Sequence, residues 1–159
     1  MRKLLLCVIA SVFLSAAAFA APKAEVFGGF QYTHFDGGPN AGGWNAALTG
    51  NFNSWLGIRA DFSGAYPTGF DYYTYTFGPE ISAHLPMVKP FAHVLLGGGR
   101  ISSGFANLNG FNMMIGGGAD VGHGTFAWRV AQFDWMSQRF NGVSDNKNIR
   151  ITTGIVARF

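Results

Sequence analysis

Between residues 44 and 52 the chain alternates apolar and polar positions. Trp44, Ala46, Leu48 and Phe52 fall on one face of an extended segment, and Asn45, Ala47, Thr49 and Asn51 fall on the other. A period of two belongs to a β-strand, whose successive side chains point to opposite sides. The constraint lies in what the polar faces lack. Charged residues make up 12% of the chain against 48% hydrophobic and 16% aromatic, whereas a water-facing domain carries about 25% charge. After residue 20 no apolar run has the ~20 residues that a spanning helix needs. Lipid offers no hydrogen bonds, so strands can face it only when every backbone group pairs around a closed barrel. The combination therefore predicts an all-β, transmembrane fold.

Residues 56 to 66 repeat the pattern, with Leu56, Ile58, Ala60, Phe62 and Tyr66 opposing Arg59, Asp61 and Ser63. Tyr73, Tyr75, Phe77 and Ile81 then oppose Thr74, Thr76, Glu80 and Ser82, and Ile149, Ile151, Ile155 and Phe159 oppose Arg150, Thr152 and Arg158. Four less regular segments, near 24–34, 89–101, 111–121 and 126–136, complete the set. Each is close to the ~9–11 residues with which a tilted strand crosses a bilayer. Long connections at 36–43, 67–71, 102–110 and 137–147 alternate with short turns near 53–54, 84–88 and 122–125. The prediction is an eight-stranded antiparallel up-and-down transmembrane β-barrel, its long loops on the outer side and both its ends on the other. Tyr32, Trp44, Tyr66, Tyr73 and Trp135 fall beside the loops, and Phe52 and Phe159 beside the turns, where interfacial aromatic girdles belong.

A soluble barrel would turn its apolar face inward, but the opposite face has too few charges to clothe it. That face carries Glu25, Arg59, Asp61, Glu80, Asp120, Asp134, Arg150 and Arg158, enough to fill a narrow lumen with paired ions. Folding one hairpin about residue 69 sets Arg59 level with Glu80, with Asp61 close by; folding the last about 142 sets Asp134 level with Arg150. The candidate site is thus an interior ion network of Arg59, Asp61, Glu80, Asp134 and Arg150. Such a network would act as a structural plug, because side chains just fill a barrel of this size; the alternative is a narrow or gated pore for small solutes. Arg100 and Arg129 break the parity. Arg100 is expected above the membrane, and Arg129 is expected inside if a bulge turns it.

Other chemistries find little support. Gly97-Gly98-Gly99 and Gly116-Gly117-Gly118 precede neither Lys-Ser/Thr nor a helix, which removes the phosphate-loop reading. His34, His84, His93 and His123 lack ligand spacing, so no metal is expected; His93 should point into the lumen and the others sit at rims. No other cofactor is implied. A lipid-modifying enzyme would have to start from His34 with Ser102 or Ser103, and no orienting acid accompanies them. No basic stretch interleaves with aromatics, so no nucleic acid is expected as a partner.

The first residues read as an export signal: Arg2 and Lys3, the apolar run Leu4 to Leu14, then Ala18-Phe19-Ala20. Cleavage after Ala20 would divide the chain into a signal peptide, residues 1–20, and a barrel domain, residues 21–159. An uncleaved anchor helix is the alternative, though Leu4 to Ala20 is short for one. Cys7 is the only cysteine and would leave with the signal. What remains has nine basic residues against eight acidic ones and no thiol.

Three stretches carry a resemblance: Glu25-Val26-Phe27-Gly28-Gly29-Phe30, Pro90 through Gly98, and Thr153-Gly154-Ile155-Val156-Ala157-Arg158-Phe159. Over residues 24 to 159 the chain resembles the small outer-membrane β-barrels of the OmpA membrane-domain and OmpX type. The terminal Phe159, with Ile155 and Ile151 on its face, is similar to the signal by which such barrels are recognised by the outer-membrane insertion machinery. OmpA-type proteins carry a peptidoglycan-binding domain after the barrel. This sequence stops at Phe159, so wall anchoring does not carry over. The resemblance implies a monomer in the lipid bilayer of the bacterial cell outer membrane. It also implies a non-enzymatic, structural or surface-interaction role and an unnamed extracellular loop partner.

Overall fold

The computed structural model describes residues 23–103, 106–140 and 142–159; the expected export signal, residues 1–20, lies outside them. Eight strands follow in order: β1 (Ala24–His34), β2 (Ala41–Asn51), β3 (Leu56–Ala65), β4 (Asp71–Ser82), β5 (Val88–Ser103), β6 (Ala106–Val121), β7 (Phe126–Phe140) and β8 (Val143–Arg158). Each pairs antiparallel with its sequence neighbour, and β1 closes on β8 through the register Glu25 to Arg158, making one closed barrel. Closure leaves no open sheet edge within the wall, the condition for strands in hydrocarbon. The amide of Phe159 donates to Ala24 O at 2.9 Å, so both ends meet on the short-turn side.

Alternation sets the faces. Phe30, Leu48, Phe62, Phe77, Phe133 and Ile155 stand on the outer wall, each about half exposed or more, while Asn45, Arg59, Thr76 and Asp134 are buried inside. The interior is not uniformly polar. Phe27 packs with Ala47, Ala127 and Val156, and Leu95 with Met114 and Met136. Towards the loops Phe35, Ala41, Ala65 and Tyr72 form a cluster with Phe70, Ile101 and Phe140 against it. Close strand approach demands glycine at one inward position in particular: a Cβ on Gly97 would collide with the Tyr75 carbonyl oxygen.

Two of the long connections are shorter than the sequence suggests. In place of loops at 102–110 and 137–147 the strands continue, Ser103 pairing with Ala106 and Phe140 with Val143. Residues 104, 105 and 141 lie outside the described residues. Backbone ladders need no side-chain alternation once both faces meet water, so these Gly- and Asn-rich hairpins carry no two-residue signal. As a result β5, β6 and β8 reach 16 residues and β7 15, against 10 to 12 for β1 to β4.

A girdle contact at the loop end offers a mild test. Trp44 Nε1 donates to the Tyr66 hydroxyl at 2.9 Å, and Tyr66 packs edge-on to Tyr73 at 6.1 Å. Tyr66→Phe removes the acceptor but keeps the ring. The expected loss is about 0.5–1.5 kcal/mol, read as a lower urea midpoint in micelles, with the girdle tryptophan emission shifted.

Candidate functional site: the ion network of the barrel interior

Inward alternation on β3 puts Arg59 and Asp61 on one face, two residues apart, with Arg59 Nη2 3.0 Å from Asp61 Oδ2. The expected register is off by two: Arg59 lies opposite Gly78, and Glu80 lies opposite Gly57. The long arginine side chain spans the offset, and Nη1 sits 3.1 Å from Glu80 Oε2. Asp134 and Arg150 are register partners. Arg150 bridges Asp134, at 2.7 Å, to Asp61, at 2.9 Å. All five candidate residues are buried and belong to one connected set.

The set is larger than those five. Lys89 Nζ binds both oxygens of Glu25 at 2.7 Å and reaches Glu80 at 3.3 Å. Gln132 ties three groups together: its oxygen accepts from Arg59 at 3.1 Å and from Arg129 at 2.8 Å, and its nitrogen donates to Asp134 at 2.7 Å. His93 Nε2 lies 2.8 Å from the other Asp134 oxygen. Asn45 donates to Asp61 at 2.8 Å. Register shifts between Ala119 and Asp120 and between Arg129 and Gln132 put both Arg129 and Gln132 on the lumen side. There Arg129 Nε binds Asp120 at 2.7 Å, and its guanidinium lies between the rings of Phe27, at 4.4 Å, and Phe91, at 4.2 Å. Arg158 stands 4.0 Å from Asp120. Among the described residues, Glu25, Asp61, Glu80, Asp120 and Asp134 thus face Arg59, Lys89, Arg129, Arg150 and Arg158. The formal charges cancel, histidines apart, as burial requires of ions that cannot be left unpaired.

Sequence reasoning left Lys89 out, although it shares parity with Phe91 and His93 in one segment, the signal that would have found it. Gln132 was missed as well, although it shares the parity of Asp134 two residues on; the bulge between them and the turn brings Arg129, not Gln132, to the inward side. Arg100 is exposed near the outer end of β5. His84 is buried at the inner rim, its Nδ1 2.9 Å from Ser54 O and its Nε2 3.7 Å from Glu25. His34 is held by Asn40 at 2.6 Å on β1, and Ser102 donates to Asn107 at 2.8 Å from β5. Those strands lie on opposite sides of the ring, so the structure does not join His34 and Ser102 into a catalytic pair. Among the described residues no three His, Cys, Asp or Glu side chains converge as a metal site.

No protein-family model matches the chain, and neither does any curated protein sequence. Solved structures do match. Ail, the attachment invasion locus protein of Yersinia pestis, aligns with TM-score 0.57 at 19% identity, over 87% of this chain and 99% of its own. Neisserial surface protein A aligns with TM-score 0.65 at 12% identity, over 86% and 96%. The N-terminal β-barrel domain of Pseudomonas aeruginosa OprF aligns with TM-score 0.62 at 10% identity, over 89% and 100%. At these identities the likeness is one of architecture: the chain has the fold of the small eight-stranded outer-membrane β-barrels.

Proposed function

We propose that this chain is a non-enzymatic protein of the bacterial outer membrane, with a structural or surface-interaction role and a lumen plugged by its ions. The observation that carries the reading is the inversion of the barrel. Apolar side chains form the outer wall, while a charge-balanced set of buried ions crosses the interior. Such a wall has its favourable neighbours in acyl chains, and such an interior resists wetting by a continuous channel. In this reading the barrel is a monomer in the lipid bilayer, Phe159 serves the insertion machinery, and the loops and the extended β5–β8 hairpins meet an external partner. Residues 1–20 would be removed on export.

A narrow pore is the competing reading, and Arg129 speaks against it. Held by Asp120 and Gln132 and by two phenylalanine rings, its guanidinium lies across the lumen rather than along a free path. Two measurements on membrane-extracted protein test the proposal. Gel migration should change on heating, as it does for a barrel that resists detergent, and planar bilayers should show no reproducible conductance steps. Steps abolished by substituting Arg59 or Arg150 would replace the plug with a pore. Migration indifferent to heat, together with partitioning into buffer, would remove the membrane assignment.

A further inference from the structure

On the lipid-facing reading of the outer wall, we propose that the wall holds one acyl chain of an inner-leaflet phospholipid in a trough over β5 and β6. A cavity of about 210 Å³ opens there, lined chiefly by Pro79, Ile81, Ala92, Val94 and Ile115. Ile81, Val94 and Ile115 are 40%, 42% and 45% exposed, so the cavity opens outwards and not into the lumen.

Residue size along the outward rows makes the trough. Val94, Ile115 and Trp135 stand side by side and close its upper end. One step nearer the turns the outward residues of β5 and β6 shrink to Ala92 and Gly117, between Ile81 on β4 and Phe133 on β7. The next step brings Pro90, Ala119 and Ala131, before Val88 and Val121 end their strands. Ile81 and Phe133 therefore stand as walls above a low floor. Gly117 cannot be larger, because a Cβ there would lie 2.6 Å from the Phe91 carbonyl oxygen. Beside the cavity the β4–β5 register passes from Phe77–Leu96 to Glu80–His93 without a pair at Gly78 or Pro79. Proline has no N–H to give to that ladder.

The shape identifies the occupant. An apolar hollow of this kind does not hold water. Within hydrocarbon, packing decides which neighbour is preferred, since every candidate is equally greasy. A chain lying in the trough touches the floor and both walls, whereas a gap there forfeits those dispersion contacts. From the Val94–Ile115 row to the Val88–Val121 row the strands run six residues, ~20 Å at ~3.3 Å per residue. At the usual strand tilt that is about 15 Å along the membrane normal, half of the ~30 Å hydrocarbon layer. The trough thus spans one leaflet, and it runs out on the short-turn side, which makes that leaflet the inner one.

The test is native mass spectrometry of the membrane-extracted barrel, released from micelles that contain phosphatidylethanolamine and its single-chain lyso form. One lipid should stay on each barrel, and the lyso form should serve as well, because the trough grips a single chain. Ala92→Phe fills the trough from an exposed position and should cut retention at least tenfold. Ala119→Leu, nearer the rim, should act in the same direction, while Ala46→Phe on β2 should change nothing. Heat-dependent gel migration checks that each variant is folded. Retention equal in Ala92→Phe, Ala119→Leu and the parent would mean loose annular lipid and overturn the site. Rejection of the lyso form would overturn the single chain, and paired barrels separated by Ala92→Phe would put a second copy in its place. A folded parent barrel that keeps no lipid would also overturn the site; Phe77→Arg, elsewhere on the wall, reports on the lipid-facing reading independently.

Discussion

Replacing Arg59 with alanine is expected to destabilise the barrel by about 3–5 kcal/mol, the cost of breaking a buried ion pair by deleting one partner. The loss comes less from the missing attraction than from what stays behind. Arg59 contacts Glu80 at 3.1 Å, Asp61 at 3.0 Å and the Gln132 oxygen at 3.1 Å. Without it, Glu80 keeps Lys89 and Asp61 keeps Arg150, each buried carboxylate retaining one cation where it had two. Urea unfolding in micelles, followed by tryptophan emission or gel mobility, reads the change. Arg59→Ala combined with Glu80→Gln should lose less than the sum of the single changes, since the second removes a charge that the first left with one cation fewer. An unfolding midpoint that does not move would sink the structural reading of the network.

The second large effect belongs to the opposite face. Phe77 is 65% exposed near the middle of β4, opposite Ala60 on β3 and Leu96 on β5. Phe77→Arg should cost about 2–4 kcal/mol in a bilayer, the price of a cation at the hydrocarbon midplane. Phe52, more exposed still but beside a turn, should tolerate arginine at about 0–1 kcal/mol, because there the side chain reaches the headgroups. It is the difference in depth that matters: a barrel standing in water would accept arginine equally at both positions. Equal, small effects in liposomes would therefore contradict the lipid-facing assignment.

How much of this was legible in the sequence depended on whether two solvents were at work. Where one face meets lipid and the other the lumen, each residue must declare its side, and the patterns at 44–52, 56–66, 73–82 and 149–159 read correctly. Beyond the membrane that pressure ends, so the paired segments around Ser102–Asn107 and Arg139–Ser144 look like loops. Register was harder than existence. Arg59 and Glu80 fall on the same side whichever way β3 and β4 are slid by two residues, and parity alone cannot separate those registers. The bulge was legible only as a condition on Arg129, whose charge breaks the parity: the extra residues at 130–131 leave Arg129 and Gln132 both facing the lumen, against a strict count of two. Lys89 was a different kind of omission, for its position was readable and its partners Glu25 and Glu80 were already in view.

The ion network also bears on how such a barrel reaches its final state. Arg150 and Asp61 are 89 residues apart in the chain, Arg59 and Gln132 73, and Lys89 and Glu25 64. None of these contacts lies within a single hairpin, and Phe27 of β1 receives Arg129 of β7 only when the seam has shut. A partly zipped sheet gains nothing from them and must keep those side chains hydrated, whereas the sealed cylinder gains them together. These cross-barrel contacts thus act as a clasp: they add to the bridges already made within the hairpins only when the ring closes, so the last step of assembly is a rewarding one.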